Sequence, residues 1–167
     1  MIFERPDSGS RLDQGDIIDD CPVTSVVNHD VNQPSTSLAK VNLHRIIVLT
    51  QACDLANDKI TSVNVAVCFD APSVVAQGLV KPADLKGPIR SGRVWGLYFL
   101  PADPVLGLPE MLLDLRKLHT LRIEVIHSLL LANKRRARLP TPYREHLAKH
   151  FADTFSRIGL PRPYETL

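Results

Sequence analysis

Several features that mark whole classes of protein are missing from this sequence. No apolar run approaches the roughly 18 residues that a transmembrane helix needs. The first 16 residues, MIFERPDSGSRLDQGD, contain no apolar segment of the kind found in secretory signals. The three cysteines, Cys21, Cys53 and Cys68, are odd in number and have no paired spacing. They indicate neither a disulfide framework nor a cysteine zinc site, and the expected compartment is a reducing cytoplasm.

Aromatic residues are also scarce, at 5%, so Val, Leu, Ile and Ala must form most of the core. Hydrophobic residues make up 44% of the 167 residues and charged residues 23%, which is typical of a folded domain rather than a disordered chain. The sequence has no internal repeats, no glycine-rich phosphate loop and no nucleophile elbow. The length predicts a single domain over residues 1–167, in which residues 1–13 form a loose polar lead-in.

Short β-branched runs bounded by turn residues predict a body made of strands. The clearest is LHRIIVLT, residues 43–50, whose nearly continuous apolar run is typical of a strand buried on both faces. VTSVV, residues 23–27, alternates apolar and polar side chains and predicts a half-buried strand. Further strands are predicted at GDII, ITSVNVAVCF, VWGLYFL and MLLDL, which start at residues 15, 60, 94 and 111. Residues 123–132 fit a strand or a helix, and we interpret them as helical.

An amphipathic helix is predicted at residues 141–158. Thr141 suits an N-cap and Pro142 the first helical position, while Gly159 and Pro161 end the pattern. An apolar stripe runs along one face of this helix and consists of Tyr143, Leu147, Phe151, Phe155 and Ile158. Together the segments predict an α+β fold, in which this helix packs on a strongly curved antiparallel sheet or on a barrel.

The apolar run IIVL ends in the polar segment TQACDL, residues 50–55, and polar side chains at a strand end often form a site. One interpretation makes Thr50, Gln51 and Asp54 contacts for a nucleic acid or another ligand. A second makes Cys53 the nucleophile of a cysteine-dependent hydrolase, which requires a histidine nearby in space. A third is purely structural: Asp54 caps the turn, and Cys53 is a small buried hydrophobe.

Charge is distributed unevenly along the chain. Residues 1–133 carry a net charge of −3 and residues 134–167 a net charge of +5. Four cations lie within five residues of the run NKRRAR: Lys134, Arg135, Arg136 and Arg138. They could contact the phosphates of single-stranded RNA, bind an acidic protein partner, or form a solvated linker before the last helix. No aromatic residue interleaves with them, so the pattern does not support base stacking.

Two other motifs have structural alternatives. His146 and His150 lie one helical turn apart, a spacing that can hold a metal ion. Leu147 occupies the position of the glutamate in H-E-x-x-H hydrolases, and no third ligand is indicated, so we expect no metal and no cofactor. Asp16, in the segment GDI, is expected to fix the turn that starts the first strand.

The order of four segments resembles the MazF/PemK toxin family. QGDIID, residues 14–19, is similar to its opening strand, and RIIVLTQ, residues 45–51, to its arginine-led apolar strand. MLLDLRKLHTL, residues 111–121, is similar to a later strand and turn, and the predicted helix from residue 141 to the closing helix. The matched segments are short but span most of the chain. TQACDL is not typical of that family and resembles a motif of small bacterial proteins without an assigned function.

The resemblance implies a small SH3-like β-barrel, usually a homodimer, that cleaves single-stranded RNA without a metal ion and is inhibited by an antitoxin. Arg45 matches the arginine of the cleavage centre, and Thr50 is the only hydroxyl nearby. The chain has Ile46 where the family usually has proline, and Phe69 near the position of a strand-end Ser or Thr. The loss of that hydroxyl favours a rival hypothesis, a non-catalytic protein-interaction module. Arg45 would then pair with a nearby aspartate.

Overall fold

The computed structural model describes residues 1–57 and 60–156. Its centre is one six-stranded antiparallel sheet with the strand order β4-β5-β3-β2-β1-β6. The strands are β1 (Asp16–Asn28), β2 (Leu38–Val48), β3 (Ser62–Asp70), β4 (Leu97–Leu100), β5 (Met111–Arg122) and β6 (Arg135–Arg138). The helices are α1 (Ala52–Ala56), α2 (Ala71–Ala76), α3 (Pro82–Asp84), α4 (Ile123–Leu131) and α5 (Tyr143–Phe155). A 3-10 turn (Pro34–Thr36) and a π-helical turn (Leu85–Ile89) complete the regular structure.

The middle of the sheet is buried on both faces because its strands are almost continuously apolar. Ile46, Ile47 and Val48 of β2 are fully shielded from solvent, which confirms the predicted central strand. On one face α5 contributes Leu147 to the core, and on the other α4 contributes Ile126. None of the helices in residues 1–57 and 60–156 is long and apolar enough to cross a bilayer.

The α+β class and the helix packed on the sheet are confirmed, but a barrel is not. Within the described residues the sheet is open, since no strand pairing joins its edge strands β4 and β6. Residues 123–131 are helical, as the sequence predicts. The prediction for β3 is also confirmed, because Val63, Val65 and Val67 line the face covered by α4.

Several predicted boundaries are wrong. The sequence predicts that the first strand ends at DDCP, whereas β1 continues through it to Asn28. A bulge at Asp20, where φ is 55°, accommodates one extra residue in β1, and pairing with β2 resumes at Cys21. The two Pro and two Gly of KPADLKGPIRSGR, residues 81–93, predict a surface connection, but this segment contains α3 and the π-helical turn and buries Leu85 and Ile89.

Residues 1–13 are anchored to the domain rather than loose. Phe3 lies in the core at 1% exposure. The backbone N–H of Glu4 donates to the Arg138 carbonyl at 3.0 Å, and the Arg138 N–H donates back at 2.9 Å. Just after this segment, the Gln14 amide donates to the Leu49 carbonyl at 3.0 Å. The lead-in is therefore held along the edge of the sheet.

The last helix is shorter at its start than predicted. Helix α5 begins at Tyr143, and the Thr141 hydroxyl donates to the Glu145 carboxylate at 3.0 Å instead of accepting a backbone N–H. Tyr143, Leu147 and Phe151 pack against the core, whereas Phe155 is largely exposed. The predicted end of the helix, with Ile158, Gly159 and Pro161, lies outside the described residues.

Candidate functional site

Arg45 is held by a carboxylate that faces it from the neighbouring strand. Its Nε lies 2.5 Å from Oδ1 of Asp19 on β1, and its Nη1 lies 3.9 Å from the Met111 sulfur. The other oxygen of Asp19 accepts from Nε and Nη2 of Arg136 on β6, at 2.9 and 2.7 Å. Burial raises the pKa of Asp19, but the hydrogen bonds from Arg45 and Arg136 outweigh it, so its pKa lies below the usual value. The expected pairing of Arg45 with an aspartate is confirmed.

Thr50 is engaged in the backbone of the sheet. Its Oγ1 accepts the N–H of Asn64 at 2.7 Å, and this bond fixes the point where the chain leaves β2. Gln51 is the N-cap residue of α1 but makes no side-chain cap bond, and Asp54 lies in the first turn of the same helix. The segment DLANDK predicts a turn from residue 54, but residues 52–56 form a short helix.

The predicted residues of the TQACDL segment do not converge with Arg45. Thr50 follows Arg45 by five positions, which places their Cα atoms about 16 Å apart at 3.3 Å per residue of extended strand. Their side chains point to different partners, Asp19 and Asn64. The structure thus shows no shared cleft for them among the described residues.

The basic run forms the edge strand β6, and its cations are paired with carboxylates of β1 and the lead-in. Lys134 Nζ lies 2.7 Å from Asp20 Oδ2, and Arg136 binds Asp19 as described. Arg135 Nη1 lies 3.3 Å from Asp16 Oδ2, and three further bonds run from Arg135 to backbone carbonyls of residues 7–11. The interpretation of this run as a solvated linker is wrong, because it is one strand of the sheet.

Asp16 is the centre of this charge network. It is fully buried, and its two oxygens accept from Arg138 Nε at 2.6 Å and Nη2 at 2.9 Å. Its Oδ2 also accepts the backbone N–H of Asp13 at 3.0 Å, which confirms that Asp16 fixes the turn before β1. Asp13 in turn pairs with Arg144 Nη1 at 2.9 Å, which ties the network to α5.

Neither a thiol centre nor a metal centre is built around the predicted residues. Cys53 is exposed, which contradicts its interpretation as a buried hydrophobe, and its Sγ contacts Gln51 Oε1 at 3.6 Å and Asp54 Oδ1 at 3.8 Å. No hydrogen bond within residues 1–57 and 60–156 joins it to a histidine. Burial raises the pKa of Cys21 to about 11 and also raises that of Cys68. The described part of the chain contains no group of three or more His, Cys, Asp or Glu side chains arranged for a metal ion.

The most exposed apolar surface of the sheet is a two-stranded ribbon, residues 22–43, which we call the hairpin arm. It consists of the outer halves of β1 and β2 and the loop that joins them. Paired residues of antiparallel strands share a face, and the register places Leu43 beside Pro22, Val41 beside Thr24 and Ala39 beside Val26. Leu43, Val41 and Val26 are 65%, 59% and 69% exposed. One face of the arm is therefore apolar and uncovered.

The opposite face of the arm is polar towards its tip. Asn42 pairs with Val23, and Lys40 pairs with Ser25. Only Val23 of these is buried, where the arm joins the core. In the described residues, the two strands of the arm pair only with each other, so each also has an open backbone edge.

Sequence analysis predicted one strand of the arm, residues 23–27, but neither the start of β2 at residues 38–42 nor the exposed surface. The alternation in VTSVV indicates that one face is buried, and alternation is equally present when the apolar face is open to solvent. A usable signal was the low charge of the segment: residues 22–43 contain one Asp and one Lys, Asp30 and Lys40.

The fold and this surface define the protein as an α+β protein with an open antiparallel sheet and a projecting hairpin. No protein-family model matches the chain, and no curated protein matches it significantly. The resemblance to the MazF/PemK family therefore stays a prediction.

Proposed function

We propose that this protein is an interaction module that binds a partner protein through the hairpin arm. The partner supplies an extended, apolar segment, which pairs with the open edge of the arm and covers its apolar face. The observation that carries the proposal is the exposure of Val26, Val41 and Leu43 on one face of a ribbon that nothing else in residues 1–57 and 60–156 pairs with.

The physical argument begins with stability. A two-stranded hairpin is marginally stable alone in water, and a third strand or a packed surface is what stabilises it. Contiguous exposed apolar surface and open strand edges are also typical of sites that bind another chain. A partner strand that adds to an edge of the arm satisfies its open backbone groups by hydrogen bonding. Alternate side chains of that strand pack against the apolar side chains of the arm.

The low charge of the arm indicates an apolar partner. The arm contains only Asp30 and Lys40 as charged side chains, so its formal charge is zero. A nucleic acid or a strongly acidic protein segment would require several cations on the contact surface. An apolar protein segment requires none. A second copy of the arm has this chemistry as well, and would make the homodimer a special case of the proposal.

The ribonuclease hypothesis draws no support from this geometry. Its two named groups, the Arg45 guanidinium and the Thr50 hydroxyl, are bound by Asp19 and Asn64 and lie at different places on the sheet. Binding of RNA or of an antitoxin by the basic run stays a prediction, which an assay on the purified protein tests.

The test changes the apolar face of the arm while keeping its strands. The double variant Val41→Thr and Leu43→Thr reduces the apolar surface of the arm. Threonine is common in strands, so the variant is expected to keep the hairpin. Lys40→Thr together with Asn42→Thr is the matched control, since it alters the same strand on its other face. Self-association is measured by sedimentation, and the dissociation constant for a captured partner by titration with the purified partner.

We expect the Val41/Leu43 variant to bind more than about tenfold more weakly, because each apolar side chain contributes ~1.5–3 kcal/mol when buried and 1.4 kcal/mol is tenfold. The Lys40/Asn42 control should bind within about twofold of the natural chain, a difference of a few tenths of a kcal/mol. Equal loss of binding in both variants, or in neither, contradicts the proposal.

A further inference from the structure

A separate groove lies between β4, the start of α5 and the turn that follows the π-helical turn. Its volume is about 370 Å³, near the lower end of the ~300–1,000 Å³ typical of small-molecule sites. Its residues come from four distant parts of the chain, and the central ones for the argument are Arg90, Ser91, Tyr98, Leu100, Tyr143 and His146. None of them belongs to the hairpin arm.

A hydrogen bond orients the histidine of this groove. The Tyr98 hydroxyl lies 3.0 Å from His146 Nδ1, and the tyrosine is 6% exposed. Burial raises the pKa of Tyr98 to about 12, so its phenol stays protonated and can donate a hydrogen bond to His146 Nδ1. In that arrangement the ring hydrogen of His146 is on Nε2, which can donate a hydrogen bond to a ligand.

The second polar group is an arginine that is already fixed in place. The Arg90 guanidinium stacks 4.6 Å from the centre of the Phe99 ring, and Nη2 donates to the Glu110 carboxylate. A guanidinium has five N–H groups, and within residues 1–57 and 60–156 that is its one hydrogen bond. Arg90 therefore has further N–H groups that can donate hydrogen bonds. Because its side chain is already held in place, it loses little conformational entropy when it binds a second anion.

Apart from Ser91, whose hydroxyl donates to the Gly87 carbonyl at 3.0 Å, the named residues of the remaining lining are apolar or aromatic. Ile89, Leu100, Leu139 and the Tyr143 ring surround the two donors. A ligand that fits has an apolar, ring-shaped body and one group that accepts hydrogen bonds and carries negative charge.

We propose that this groove binds a small aromatic molecule that carries one anionic group, a phosphate or a carboxylate. The anionic group binds Arg90 and His146, and the ring packs against Tyr143 and Leu100. This site is independent of the hairpin arm, and each proposal can fail without the other.

Titration of the full chain, followed by the NMR signals of the Ser91 and Gly92 amides, tests this. The probes are uridine 5′-monophosphate for a phosphate, phenylacetate for a carboxylate, and uncharged uridine as the control ligand. Arg90→Gln removes the cation, and Tyr98→Phe removes the hydroxyl that orients His146. Arg122→Gln is the matched control, because Arg122 is also an exposed arginine in an ion pair, with Glu124, but does not line the groove.

We expect at least one anionic probe to bind saturably, and the probe that binds identifies the anionic group. Arg90→Gln should weaken that binding at least about tenfold, as for loss of a charge-assisted hydrogen bond, and Tyr98→Phe should weaken it less. Arg122→Gln should leave it unchanged.

Three results overturn the proposal. The first is that neither anionic probe shifts the two amides up to about 10 mM, tenfold above a weak Kd of ~1 mM. The second is that uridine binds as tightly as its monophosphate with no binding of phenylacetate. The third is that Arg90→Gln, with an otherwise unchanged spectrum, binds as the natural chain does.

Discussion

Asp19 joins three strands through one carboxylate. It lies on β1, accepts from Arg45 of β2 through one oxygen and from Arg136 of β6 through the other. Hydrogen bonds to a charged group are stronger than neutral ones, about 1.5–3 kcal/mol net. The side chain is mostly buried, so solvent screens these bonds only in part.

This arrangement predicts a pH dependence for Asp19→Asn. The pKa of Asp19 is lower in the folded protein than in the unfolded chain, so its contribution is present above the unfolded value of about 3.9. It is lost as the pH falls through the folded pKa. At pH 7 the variant should be less stable by about 1.5–3 kcal/mol, and the difference should shrink below pH ~4. Urea denaturation over a pH series measures it, and a difference that stays constant down to the folded pKa would count against this role.

Strand β6 shows how an element forms without an apolar pattern. Of its four residues only Ala137 is buried in the core, and the three arginines bind partners on β1 and the lead-in. Asp16 is the main anchor, since it is fully buried between Arg138 and Arg135. The element exists because its partner strand supplies carboxylates.

Replacement of that anchor should unfold the edge of the sheet. Asp16→Asn leaves two poorly exposed guanidinium groups without their carboxylate, and loss of one partner of a buried ion pair costs about 3–5 kcal/mol. Asp20→Asn is the control, because its pair with Lys134 is exposed and should contribute about 0–1 kcal/mol. Denaturant unfolding of both variants gives the two values, and equal values would show that Asp16 is not the anchor.

At the scale of the whole molecule, opposite charges that are far apart in the sequence are neighbours. The basic residues Lys134, Arg135, Arg136 and Arg138 face the acidic residues Asp13, Asp16, Asp19 and Asp20. Arg45 and Arg144 share two of these carboxylates, so six positive charges meet four negative ones. Each cation of the run at residues 134–138 is therefore paired with a carboxylate, which reduces the basic character of this surface.

This pairing of charges predicts weak binding to RNA. Affinity for a polyanion depends on the number of phosphates that free cations neutralise, and these cations are already paired. We expect the purified protein to leave single-stranded RNA intact without metal and to show no retention on it at about 0.15 M salt, where the Debye length is ~8 Å. Cleavage that Arg45→Ala abolishes, in a variant shown to be folded, would restore the ribonuclease hypothesis.

Sequence patterns predicted the elements that are richest in apolar residues. The central strand with Ile46, Ile47 and Val48 and the helix at residues 123–131 are apolar enough to identify locally. The continuation of β1 past Asp20 was missed because DDCP contains turn-forming residues. The partners of Arg45 and Thr50 could not be named, because Asp19 and Asn64 become neighbours only through strand pairing.

The α+β class, the apolar middle strand and the amphipathic character of the last helix follow from local periodicity and composition, so the amino-acid sequence is enough to predict them. Three other features emerge from the folded chain alone: the basic run is a strand, its cations are paired with carboxylates, and the apolar face of residues 22–43 is uncovered. Each of these features depends on which distant segment of the chain lies next to it. The spacing of hydrophobic residues does not identify that segment, because burial and pairing are properties of neighbours in space rather than of neighbours along the chain.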